Sequence, residues 1–207
     1  MNAIGKCNLQ QITRLALYLK TDDTGVETIA NVLEENNFSE LTHFSIGIGR
    51  KKGIRNPSMT ELATKISKAK FERLTNLVVM FDDPDNQQNE IIPILNQLRL
   101  HSFRQLKQLY LKFRGVPHPE TAVFLIFHHI LPSIRSQQLT HLFLSIPRNK
   151  PLRRLNDLIS ALESDRLQQL THLSLWNESR HIATCIENNR AETLEKFVQQ
   201  AKKHFSE

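Results

Sequence analysis

Three histidines share one sequence setting: His43, His141 and His172 each follow a Leu-Thr pair. Imidazoles gathered on one surface could ligate a metal. If each Leu-Thr-His opens a strand, His141 and His172 fall on adjacent strands with Cβ atoms about 5 Å apart. His43 then lies three strands from His141, too far to join them. No Asp, Glu or Cys aligns with the pair to complete the three or four ligands a metal centre needs. No metal and no cofactor is therefore expected. His128 and His129 fall in a helical stretch, where packing and solvent positions account for them. The cysteines are Cys7 and Cys185. Cys185 sits in IATCIE beside Ile182 and Ile186, which reads as a helical, buried thiol. The chain has no phosphate-cradling glycine loop, nucleophile elbow, H-E-x-x-H or paired CxxC, so the expectation is a non-enzyme.

The elements that position these residues come from one pattern repeated along the chain. The segments are ITRLALYL from Ile12, LTHFSIGI from Leu41, LTNLVVMF from Leu74, LKQLYLKF from Leu106, LTHLFLSI from Leu139 and LTHLSLWN from Leu170. Their successive spacings are 29, 33, 32, 33 and 31 residues. A fixed period of that size marks a solenoid, an extended binding surface without a single catalytic pocket. Within each segment the apolar residues alternate, as in Leu15-Leu17-Leu19, Phe44-Ile46-Ile48 and Leu77-Val79-Phe81. Period two predicts half-buried strands.

Turn-rich stretches and helical patterns separate the strands. Thr24-Gly25-Val26-Glu27 and Ser58-Met59-Thr60-Glu61 have capping-box spacing. Val26, Ile29, Ala30 and Leu33, and later Leu62, Ala63 and Ile66, follow at helical intervals. Pro119 and Pro151 suit first helical turns. An apolar residue precedes most strand segments by three positions: Leu9, Phe38, Phe71, Phe103 and Leu167, with Ser136 breaking the series. After the last strand, Ala191, Leu194, Phe197, Val198, Ala201 and Phe205 share one face of a closing helix over about 190–205, with Glu192, Lys196, Lys202 and Lys203 outside.

The strand segments resemble leucine-rich repeats, L-x-x-L-x-L-x-x-[N/C], over roughly residues 9 to 187. The helical spacers resemble the long ribonuclease-inhibitor subtype. The resemblance implies an α/β fold: one domain over 1–207, a right-handed solenoid of six strand-loop-helix units with a parallel concave sheet and convex helices. Units start near 12, 41, 74, 106, 139 and 170. Such a solenoid holds Cys7 and Cys185 apart, so no disulfide is expected and a reducing compartment fits. The Asn/Cys position holds Lys20, Gly49, Asp82, Arg114, Pro147 and Glu178, so the family's side-chain ladder is missing and irregular loops are expected. No amino-terminal cap is visible, which leaves the first strand as an edge open to self-association.

In that arrangement the residues between the leucines face the concave side. The face carries Tyr18, His43, Met80, Tyr110, Lys112, His141, Phe143, His172 and Trp176, aromatic and polar groups of the kind that dominate interfaces. Two loops are basic: Arg50, Lys51, Lys52 and Arg55 in one, Arg148, Lys150, Arg153 and Arg154 in the other. The acidic stretch of Asp82, Asp83 and Asp85 comes between them, interrupting any continuous track for nucleic acid. The net charge of +6 suits nucleic acid, an acidic protein partner or an anionic membrane surface, or serves solubility alone. There is neither a run of eighteen apolar residues nor a signal-peptide core, so membrane insertion is not expected and a cytoplasmic location is. The expected function is protein–protein interaction. The short, irregular repeats also resemble leucine-rich-repeat effectors that intracellular bacterial pathogens deliver into host cells, which implies a virulence role and a host partner in host cytosol. The alternatives are substrate recognition in a ubiquitin ligase and association with ribosome or RNA through the basic loops.

Overall fold

A computed structural model describes residues 11–21, 30–33, 38–50, 64–65, 68, 71–82, 105–114, 138–145, 167–177, 180–186 and 190–205. Seven strands form one sheet in sequence order. They are β1 (Arg14–Thr21), β2 (His43–Arg50), β3 (Asn76–Asp82), β4 (Gln108–Arg114), β5 (His141–Ser145), β6 (His172–Asn177) and β7 (Arg180–Cys185). The first six are parallel neighbours, and β7 runs antiparallel to β6. One helix, α1 (Arg190–Phe205), follows and packs against β7. The class is α/β.

Period two does what it predicts. In β3 the burial alternates residue by residue, with Leu77, Val79 and Phe81 inside and the residues between them half-buried. Phe44 and Ile46, Leu109 and Leu111, Leu142 and Leu144, and Leu173 and Leu175 repeat the pattern, each at most 1 % exposed. Each fully buried side chain of this kind contributes about 1.5–3 kcal/mol. Parallel sheets are usually covered on both faces; here one face is packed and the other is only half-buried, an open platform for side chains.

The apolar residue three positions before a strand segment has a structural job. The Phe38, Phe71 and Leu167 carbonyls accept the Leu41, Leu74 and Leu170 amides at 3.0, 3.3 and 2.9 Å, closing tight turns into the sheet. Phe38, Phe71 and Leu167 are buried, and the Phe71 ring stacks on Phe44 at 5.1 Å. Arg73 and Glu40 pair between two such turns.

The recurring threonine does comparable work at the strand starts. The Thr13 carbonyl accepts from the Thr42 amide at 2.9 Å, the His43 amide at 3.0 Å and the Thr42 hydroxyl at 2.9 Å. Thr75 repeats this bond to Thr42, Thr140 to Lys107 and Thr171 to Thr140, at 3.0–3.1 Å. Lys107 stands where the other five repeats have threonine, so its link is made by amides alone.

β7 corrects two expectations. Residues 182–185 are strand and not helix, with Ile182 and the following Ile186 buried and Cys185 exposed. The sheet therefore has a seventh strand beyond the expected six. Two residues separate β6 from β7, too few for a parallel crossover and suited to an antiparallel return. The spacing Ile182, Thr184, Ile186 fits period two as well as a helix turn, and β-branched side chains favour the strand.

α1 lies where the sequence places it. Leu194, Phe197 and Ala201 are buried, Val198 is half-buried, and Ala191 is exposed, so it leaves the expected apolar face. The Arg190 guanidinium donates to the carbonyls of Leu167 at 2.8 Å, Leu170 at 3.1 Å and Gln168 at 3.3 Å. It thereby clasps the helix start to the last turn, and burial lowers its pKa. Of the expected first helix, residues 30–33 are helical, with Ala30 and Leu33 buried. The other helix stripes, Cys7, His128, His129, Asp83, Asp85, Lys51, Lys52, Arg55, Arg148, Lys150, Arg153 and Arg154 lie outside the described residues. Arg50 is described as the last backbone position of β2.

Candidate functional site

The register sets the residues between the leucines in three columns across the open face. The first runs Arg14, His43, Asn76, Gln108, His141, His172 and then Cys185. The second runs Ala16, Ser45, Val78, Tyr110, Phe143, Ser174 and Ala183. The third runs Tyr18, Gly47, Met80, Lys112, Ser145, Trp176 and His181.

In the first column, the threonine ladder orients the imidazoles. Thr42, Thr140 and Thr171 hydroxyls lie 2.8, 2.8 and 2.9 Å from Nδ1 of His43, His141 and His172. Each hydroxyl has one proton and donates it to the preceding strand's carbonyl, so Nδ1–H donates to the hydroxyl oxygen. That leaves Nε2 with its lone pair. The His141 and His172 rings stack at 4.2 Å, 3° apart, and His172 Nε2 lies 3.8 Å from Cys185 Sγ. Burial, then repulsion from His172, lowers the His141 pKa. Burial, then Arg14, lowers that of His43. Asn76 Nδ2 donates to Gln108 Oε1, filling the centre of the column with paired amides. Among the described residues, no group of three or more His, Cys, Asp or Glu could hold a metal ion.

The second column is the aromatic one. Tyr110 and Phe143 stack with centroids 4.0 Å apart and planes 3° apart. Burial raises the Tyr110 pKa. Phe143 also meets Trp176 at 6.5 Å and His181 at 6.3 Å, and Ser174 Oγ lies 2.6 Å from His181 Nε2.

In the third column, large residues close over small ones. Tyr18, 61 % exposed, lies over Gly47; a Cβ there would collide with Tyr18 Cδ2 and stand 3.4 Å from Met80 Cε. Farther along, Lys112 Nζ reaches to within 5.2 Å of the Trp176 ring centroid, a cation–π contact. Ser145, between them in register, is 3 % exposed although it belongs to the open face.

A cleft of about 530 Å³ opens over β3–β7. It brings together four of the expected residues, Tyr110, His141, Phe143 and His172, with Asn76, Val78, Gln108, Ser174, Ala183 and Cys185. Tyr18, His43, Met80, Lys112 and Trp176 share the face but do not line the cleft. The β7 residues and the threonine ladder are new. The ladder's signal was the threonine recurring before each strand; β7's was the two-residue gap.

The chain matches no family model, no curated protein and no solved structure. Among the described residues, no helix is long and apolar enough to cross a membrane.

Proposed function

We propose that the chain is a right-handed leucine-rich-repeat solenoid whose open face is its concave side, and that it is a non-enzymatic module for binding a protein partner. The observation that carries this reading is the continuous group of Tyr110, Phe143, Trp176 and Lys112, held in mutual contact on a half-buried face. Aromatic anchors on a rigid sheet lose little conformational entropy on binding and dominate interface energetics. The sheet supplies the rigidity, since each anchor sits on a strand paired with its neighbours.

An interaction screen followed by Trp176→Ala and Tyr110→Ala tests it. Each change should weaken the partner found by about tenfold or more. Unchanged affinity in both variants removes the open face as the binding site. The resemblance to delivered bacterial effectors adds a setting, a host protein met in host cytosol, and a translocation reporter fused to the last twenty or so residues tests that part separately.

A further inference from the structure

The basic balance of the chain belongs to its sheet. The seven strands contain six lysines or arginines and one aspartate, a net +5 against +6 for all 207 residues. The cleft itself is lined by no Lys, Arg, Asp or Glu side chain. Two lysines of the same region flank it: Lys107, exposed in the place of the ladder threonine, and Lys112, beyond Tyr110 on β4. Gln108 and Tyr110 of the cleft lie between them. The two lysines, five positions apart in the chain, are separated by about 16 Å where the backbone is extended. An apolar, hydrogen-bonding floor bounded by two cations fits an anionic ligand with an apolar part.

Ring orientation chooses between anionic ligands. Tyr110 and Phe143 are 3° from parallel with centroids 4.0 Å apart, so they overlap face to face; rings side by side in one plane cannot come that close. Their faces are turned along the strand-to-strand direction and their edges toward the cleft. His141 and His172 stand the same way. Nucleobases stack on exposed ring faces, which these pairs use on each other. Ring edges carry the positive side of the quadrupole and suit the face of an incoming aromatic side chain, in the edge-to-face arrangement.

We propose that the cleft seats an extended acidic segment of a protein partner, with an apolar side chain entering against the Tyr110 and Phe143 edges and carboxylates reaching Lys107 and Lys112. The proposal rests on the reading of the open face as a protein-binding surface and adds the chemistry of what it binds.

The test is fluorescence anisotropy on the full chain with three labelled probes: a random Glu–Tyr copolymer, polyglutamate and oligouridine. The copolymer should bind most tightly, with affinity falling as salt rises. Lys107→Glu with Lys112→Glu should weaken it by about tenfold or more. Lys107→Glu alone, at an exposed position, should weaken it by about threefold with the thermal midpoint unchanged. Phe143→Ala should remove the preference for the copolymer over polyglutamate. The acidic seat is overturned if the copolymer shows no saturable binding, if both lysine variants bind it like the parent, or if oligouridine binds more tightly. The protein-binding reading fails on a different result: Tyr110→Ala and Trp176→Ala leaving a captured partner's affinity unchanged.

Discussion

The two ends of the sheet carry the same leucine pattern and bury it to different depths. At one end, Leu15 and Leu17 of β1 are half-buried. At the other, Leu173 and Leu175 of β6 are 1 % and 0 % exposed. The strands share the same alternation of leucines, so the difference comes from what lies beside them. β6 has β5 on one side and β7 on the other, with α1 packed against β7. β1 is outermost in the strand order and, among the described residues, pairs with β2 alone. A repeat sequence thus specifies which side chains point inward, while neighbours decide how much that orientation stabilises the fold.

The largest effect should come from breaking this contrast directly. Leu175→Ala removes a fully buried side chain and should cost about 2–5 kcal/mol. Leu17→Ala, at an equivalent inward position, should cost about half of that or less, since part of its surface already meets water. Urea unfolding of both variants measures the difference. Equal costs would mean that β1 is as well enclosed as β6 and would remove the contrast.

A smaller effect should follow from unfastening the closed end. Arg190 holds three carbonyls of the 167–170 turn with one guanidinium. Hydrogen bonds to a charged donor contribute about 1.5–3 kcal/mol. Arg190→Met keeps the aliphatic stem and removes the donors, so it should lose stability of about that size. Hydrogen exchange should rise first in α1 and β7, making the closed end behave more like the open one. Uniformly raised exchange across the sheet would instead show that Arg190 supports the fold as a whole.

Much of the contrast could be read from the residues, and the rest depends on partners distant in sequence. Leu77, Val79 and Phe81 declare their face because a strand has period two, and the equal start of every segment sets His43 beside Asn76 and His141 beside His172. The open-face columns follow from that register without further information. β7 was hidden because Ile182 and Ile186 satisfy helical and strand spacing alike. Ser145 reads as exposed on pattern, yet it is 3 % exposed, in register between Lys112 and Trp176 on the neighbouring strands. The threonine ladder joins residues 29 to 33 apart, so its repetition is visible in the sequence while its bonds require the fold.

The smallest effect expected concerns protons. His43, beside the β1 end, and His141, toward the closed end, both have lowered pKa values, burial being the larger cause at each. The second cause differs: Arg14 at His43 and His172 at His141. Unfolded, each imidazole takes up its proton near the usual value of about 6.5; folded, it does so at lower pH. Between those values the unfolded chain binds more protons, so stability falls as pH drops below about 6.5 and is fully present above it. Thermal unfolding of the parent and of single His→Gln variants from pH 8 to 5 measures each contribution by difference. His43→Gln and His141→Gln should each flatten the acid-side loss. His172→Gln should also relieve His141 while leaving the His43 contribution intact, because the charge beside His43 is that of Arg14 and not of His172. If His172→Gln changed the His43 contribution as much as that of His141, the two ends would be electrostatically coupled through the column, and the local account of the stacked pair would fail.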